Sequence, residues 1–136
     1  MSETAANVQA IDFHLMVGLL IAFQVKHFVA DFPLQTQYML RKTEAGWAFV
    51  IPLGVHCLIH AVMTAAIVVW IKPELLWLAF ADFVIHFAMD RLKSGPRYLG
   101  RFNDPKRTSF WVALGFDQLV HHLTHLWIVW YLVTHP

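Results

Sequence analysis

FADFVIHFAMD, Phe80–Asp90, sets Asp82, His86 and Asp90 four residues apart in a run that is otherwise entirely apolar. In a helix, residues four apart share a face, with about 6 Å between their Cβ atoms, so the three polar groups form one stripe on an apolar rod. Such a stripe needs other helices to cover it.

The rest of the chain supplies them. Of 136 residues, 58% are hydrophobic, 15% aromatic and only 14% charged, too little polar surface for a water-soluble domain of this length. The apolar residues fall into four blocks, Ile11–Phe32, Ala48–Ile71, Leu75–Arg91 and Phe110–Val133, and a helix needs about 20 residues to cross a bilayer. Soluble bundles alternate apolar and charged faces, whereas these blocks carry almost no Lys, Arg or Glu on any face. The expected fold is an all-α integral membrane domain over residues 1–136, a bundle of four transmembrane helices. Pro33 should end or kink the first helix just after Asp31, Pro52 is tolerable in the first turns of the second, and Thr108 or Ser109 is the expected cap of the fourth. The leading segment MSETAANVQA holds one acid and no base, unlike a cleavable export signal, so the first helix reads as a retained anchor.

Lys and Arg prefer the cytoplasmic side. Arg41 and Lys42 follow the first helix, and Arg91, Lys93, Arg97, Arg101, Lys106 and Arg107 follow the third; the turn between the second and third has Lys72 beside Glu74. Both basic connections fall on one face of a four-pass topology, which puts both termini outside. Trp47 and Trp111 then sit near the inner interface, and Trp70, Trp77 and Trp130 near the outer one, as anchoring belts do.

Each block carries a stripe like that of Phe80–Asp90. QVKHFVAD sets His27 and Asp31 four apart with Gln24 on the same face, HCLIH sets His56 and His60, and DQLVHHLTH sets Asp117, His121 and His125. In a four-helix bundle the stripes face inward. An Asp at the centre of a membrane helix costs about 3 kcal/mol, so Asp31, Asp82, Asp90 and Asp117 together add roughly 12 kcal/mol that something inside must offset. The topology deduced from the cations brings all four stripes to one level in the inner half of the membrane.

Imidazole and carboxylate at i, i+4 are what a divalent metal takes from a helix. The candidate ligands are His27, Asp31, His56, His60, His86, Asp90 and His121, with Asp117 as a bridging ligand or general base, enough for one or two ions. Nitrogen and oxygen donors favour Zn, Fe or Mn. Gln35, Asp82, Gln118 and His125 would orient ligands or substrate. Lys93, one turn beyond Asp90, is a catalytic candidate that could hold a phosphate beside the metals. A single membrane histidine is ordinarily an interhelical hydrogen-bonder, but four stripes at one depth ask for more. His14, His135 and Cys57 read as solvent-side or packing residues. A lone cysteine excludes an intramolecular disulfide and a thiolate-rich cluster.

HFVADFPLQTQ, HCLIH, HFAMDRLK and DQLVH, in that order from His27 to His121, resemble the pattern of a family of small bacterial and phage membrane proteins described as a domain of unknown function. The resemblance implies a multi-pass protein of the bacterial inner membrane. In residue type and spacing the chain is more distantly similar to membrane-bound metal-dependent hydrolases.

The expected function is a membrane-embedded di-metal enzyme, hydrolase-like, acting on a lipid or phosphoester from the cytoplasmic leaflet; the same ligands would also serve a di-iron oxidoreductase. The alternatives are a metal or proton transporter and a histidine-rich structural or heme-binding subunit. AAIVVW and IVVWYLV leave the outer halves almost purely apolar, which argues against a through-channel, and bis-histidine heme ligation gains nothing from neighbouring carboxylates. The expected partners are the bilayer and a lipid or phosphate-containing substrate, with no nucleic acid; an oligomer or larger membrane complex stays open.

Overall fold

The computed structural model describes residues 11–135. The leading segment, on which the retained-anchor expectation rested, lies outside them. Four helices follow in order, α1 (Phe13–Asp31), α2 (Val50–Ile71), α3 (Trp77–Ser94) and α4 (Thr108–Thr134), with no strand among the described residues.

Local chemistry sets the ends. Asp12 caps α1, its Oδ1 accepting from the amides of His14 and Leu15 at 3.0 and 3.1 Å. Pro33 follows the end of α1 as expected, since a proline has no N–H to carry the helical ladder further. The third helix differs from the expected Leu75–Arg91. Pro73–Leu75 forms a separate 3₁₀ turn, and α3 runs on through Arg91 and Lys93 to Ser94, because cations in a last turn are favoured by the helix dipole. Thr108 and Ser109 lie inside α4; Arg107 holds the cap position, with no side-chain cap bond.

Each helix buries one ridge of residues in steps of four: Leu19, Phe23 and His27 on α1; His56, His60, Thr64 and Val68 on α2; Leu78, Asp82, His86 and Asp90 on α3; Asp117, His121 and His125 on α4. Gln24, expected on the α1 stripe, is exposed. The four ridges stack into layers. At one end Leu19, Phe23, Val68, Leu78, Ile128, Val129 and Leu132 form a purely apolar core, and the Lys72 ammonium donates to the His135 carbonyl, tying the ends of α2 and α4 together. At the other end the layers are polar.

Large apolar residues cover the outside of every helix, among them Phe28, Ile51, Phe80 and Leu123. Trp47 and Trp70, toward opposite ends of the bundle, are each 86% exposed. Two helices, α1 and α2, are long and apolar enough to cross a membrane. The polar ridges of α3 and α4 lower their average hydropathy.

Candidate metal centre

The polar layers begin one helical turn below the apolar core. In the first of them the Lys26 ammonium, 3% exposed, donates to Asp82 Oδ2 at 3.0 Å, and the Thr64 hydroxyl donates to the same oxygen at 2.6 Å. Asp82 therefore pairs with a buried cation and a hydroxyl, and is not bonded to the candidate ligands that it was expected to orient.

One turn further lie His27, His60, His86 and His121, and beyond them Asp31, His56, Asp90 and Asp117. Asp31 Oδ1 is 3.0 Å from His60 Nε2 and 3.4 Å from His56 Nε2, and its Oδ2 is 3.0 Å from His27 Nε2. Asp90 spans the middle: Oδ1 is 3.1 Å from His121 Nε2 and 3.6 Å from His86 Nε2, and Oδ2 is 3.2 Å from His56 Nε2. Asp117 Oδ1 is 3.1 Å from His121 Nε2. The His86 ring packs 3.8 Å from that of His60 and 4.0 Å from that of His121, centroid to centroid. All seven candidate ligands are thus brought together, with Asp117 as the eighth member, and every helix lends two.

The polar accounting is incomplete without a further group. Buried nitrogens and oxygens are ordinarily hydrogen-bonded, yet both ring nitrogens of His86, 1% exposed, have no hydrogen-bond partner, and neither do both of His56. His56 Nε2 is within 3.4 Å of two carboxylates but is not directed at either as a hydrogen bond. Lone pairs that converge on a common point, rather than on one another, give this pattern. Donors about 2.0–2.2 Å from one tetrahedral ion stand about 3.3–3.6 Å apart; His56 and His86 stand 3.2 to 3.6 Å from the Asp31 and Asp90 oxygens without bonding them, whereas His60 and His121 hydrogen-bond the same carboxylates at 3.0 and 3.1 Å. Two groups, Asp31–His56–His60–His86 and Asp90–Asp117–His121, each bring their ligand atoms within 4.8 Å of one another. The residues fit one or two divalent ions.

Two neighbours of the centre, Lys42 and Cys57, were not foreseen. Lys42 Nζ, from the 3₁₀ turn Met39–Thr43, donates to Gln35 Oε1 at 2.9 Å and to Asp90 Oδ2 at 3.1 Å. Gln35 thus reaches the centre through Lys42. Cys57 is fully buried, its sulfur within 4.8 Å of ligand atoms of His86 and Asp90. Gln118 joins α4 to α1, its Nε2 donating to Asp117 Oδ2 at 3.1 Å while its Oε1 lies 3.2 Å from His27 Nε2. His125 is buried one turn above His121, with neither ring nitrogen bonded. Lys93 Nζ lies 3.2 Å from Asp117 Oδ2.

A cavity of about 750 Å³ reaches the centre from the polar end. Asp31, Asp90, Asp117, Lys42 and Lys93 line it, together with apolar residues of α4 and of the connection between α3 and α4.

Fold and site together define a helical-bundle protein with a buried histidine–carboxylate centre open toward one end. The chain belongs to the family described as protein of unknown function DUF3307, whose model matches residues 19–136. No curated protein and no solved structure matches it.

Proposed function

We propose that the protein is a membrane-embedded metal-dependent hydrolase of the bacterial inner membrane, its four helices spanning the bilayer and its basic end facing the cytoplasm. The exposed apolar residues on all four helices support the membrane placement. Eight of the ten cations, all except Lys26 and Lys72, lie at or beyond the cavity end of the bundle, which supports the orientation with both termini outside.

The observation that carries the reading is His86, an imidazole with no bonded nitrogen amid four other imidazoles and three carboxylates. Asp31, His56, His60 and His86 would hold one divalent ion, and Asp90 with His121 would serve a second, which leaves Asp117 as the general base. Zn, Fe or Mn suits these donors. An ion there supplies Lewis-acid activation of water near neutral pH. Asp117, on the cavity wall, takes the proton as the water oxygen bonds to the ester carbon or phosphorus. The same proton passes to the departing alcohol oxygen as the ester bond breaks. Gln118 fixes the Asp117 carboxylate for that exchange.

Transport is disfavoured by the apolar core that fills the opposite half of the bundle, since a pathway needs polar groups along its whole length. Elemental analysis of the protein purified in mild detergent tests the centre. About one or two equivalents of metal are expected, and the His60→Ala, Asp90→Ala double variant should lose them. Equal metal content in the two proteins would sink the reading. Metal-dependent release of alcohol from ester or phosphoester substrates then tests the chemistry.

A further inference from the structure

The cavity at the polar end of the centre has a divided surface. Its walls include Phe32, Leu40, Leu99, Phe102, Phe110 and Leu114, and its floor carries the carboxylates of the centre with Lys42 and Lys93. The two ammonium groups stand over two carboxylates, Lys42 over Asp90 and Lys93 over Asp117.

The position of Lys42 is built by the fold. The Arg91 guanidinium packs 3.5 Å from the Phe49 ring centroid and donates to the carbonyls of Lys42 and Glu44 at 3.3 and 3.1 Å. The Ser94 hydroxyl bridges the Lys42 carbonyl, at 3.3 Å, and the Asp90 carbonyl, at 2.6 Å. Three hydrogen bonds thus fasten a short turn to α3 with its lysine pointing inward. An ammonium has three N–H donors; Lys42 commits two, to Gln35 and Asp90. Lys93 is held only by charge, 3.2 Å from Asp117 with no directed hydrogen bond, and its side chain is 36% exposed. Donors on both lysines are left for a third party in the cavity.

Resting on the metal-centre reading, we infer that Lys42 and Lys93 form a clamp for the phosphate group of an amphiphilic substrate, whose apolar chain lies along the aromatic and leucine walls. One divalent ion turns the floor of three carboxylates and two ammonium groups net positive, and so calls for an anion. A tetrahedral oxyanion offers separate oxygens to each lysine and to the metal, and ammonium groups bind phosphate as point charges. The volume suits a small molecule with a substituent, and the apolar walls would gain nothing from free phosphate.

The test uses the full-length protein in nonionic detergent, loaded with Zn²⁺, and follows binding of dodecyl phosphate and of inorganic phosphate by ³¹P NMR, with bound zinc measured on each sample. The clamp requires dodecyl phosphate to bind at least tenfold more tightly than inorganic phosphate. Lys42→Met and Lys93→Met should each weaken it at least tenfold at unchanged zinc content, and Lys42→Arg and Lys93→Arg should recover most of the loss. Inorganic phosphate binding as tightly as the alkyl ester would overturn the amphiphile. Unchanged binding in both Met variants, or zinc loss in them, would overturn the clamp and leave the metal centre standing. A wild-type protein that takes up no zinc would remove the centre and the clamp together.

Discussion

Asp90 is the carboxylate on which the centre turns. Its two oxygens lie within 3.6 Å of His56, His86, His121 and Lys42, contributed by α2, by α3 itself, by α4 and by the turn after α1. An amide in its place keeps the shape but loses the charge and one acceptor. Asp90→Asn should therefore reduce metal affinity at least 100-fold with the helical content unchanged, read by competition against a chromogenic chelator and by circular dichroism. Gln118→Ala should cost less, about 10- to 100-fold, because Gln118 bonds Asp117 and is not among the proposed ligands. Equal losses in the two variants would contradict the division between ligand and orienting residue. The histidines and aspartates of the centre were legible in the sequence because each pair sits at i, i+4 in an apolar block. Lys42 was not, since its place depends on the turn Met39–Thr43 folding back onto α3. Gln24 misled for a simpler reason. Three residues from His27 leave it about 60° off that face at 3.6 residues per turn, on the side turned away from the bundle.

Among the elements, α1 and α3 are joined inside the bundle by the Lys26–Asp82 ion pair, in a layer between the histidine–carboxylate centre and the apolar core. Lys26 escaped notice in the sequence because a lone cation in an apolar block has no visible partner, and Asp82 lies 56 residues away. Removing one half of a buried pair leaves the other charge unpaired, at a cost of about 3–5 kcal/mol, whereas an apolar pair of similar volume is often neutral or stabilising. Lys26→Met should therefore lower the thermal midpoint in detergent markedly, and Lys26→Met with Asp82→Leu should restore it to the wild-type value or above. A double variant as unstable as the single one would show that the pair has a role beyond charge compensation. The helix boundaries carry a similar lesson. A cation ends an apolar run, so the third block stops at Arg91 in the sequence, while the backbone continues through Lys93 to Ser94.

For the molecule as a whole, the distribution of cations read from the sequence and the position of the cavity agree on one functional end. Sequence alone could place the stripes at a common depth but could not show that the opposite half is filled by Phe23, Val68, Leu78 and Ile128, because helix rotation decides which apolar residues meet. The proposed orientation can be checked by labelling in a Cys57→Ala background. Ala45→Cys, beside the basic turn, should react with a membrane-impermeant maleimide only from the cytoplasmic side, and Glu74→Cys, at the opposite end, only from outside; both positions are exposed. Labelling of both from one side would overturn the four-span topology. The contribution of two residues by each helix to one cluster also bears on the order of biosynthesis. His27 and Asp31 emerge from the ribosome long before Asp117 and His121, so the cluster is complete only when the last helix has joined the others. On the proposed function, metal loading is then a late event in maturation, and any factor that delivers the ion acts on the finished bundle from the cavity end.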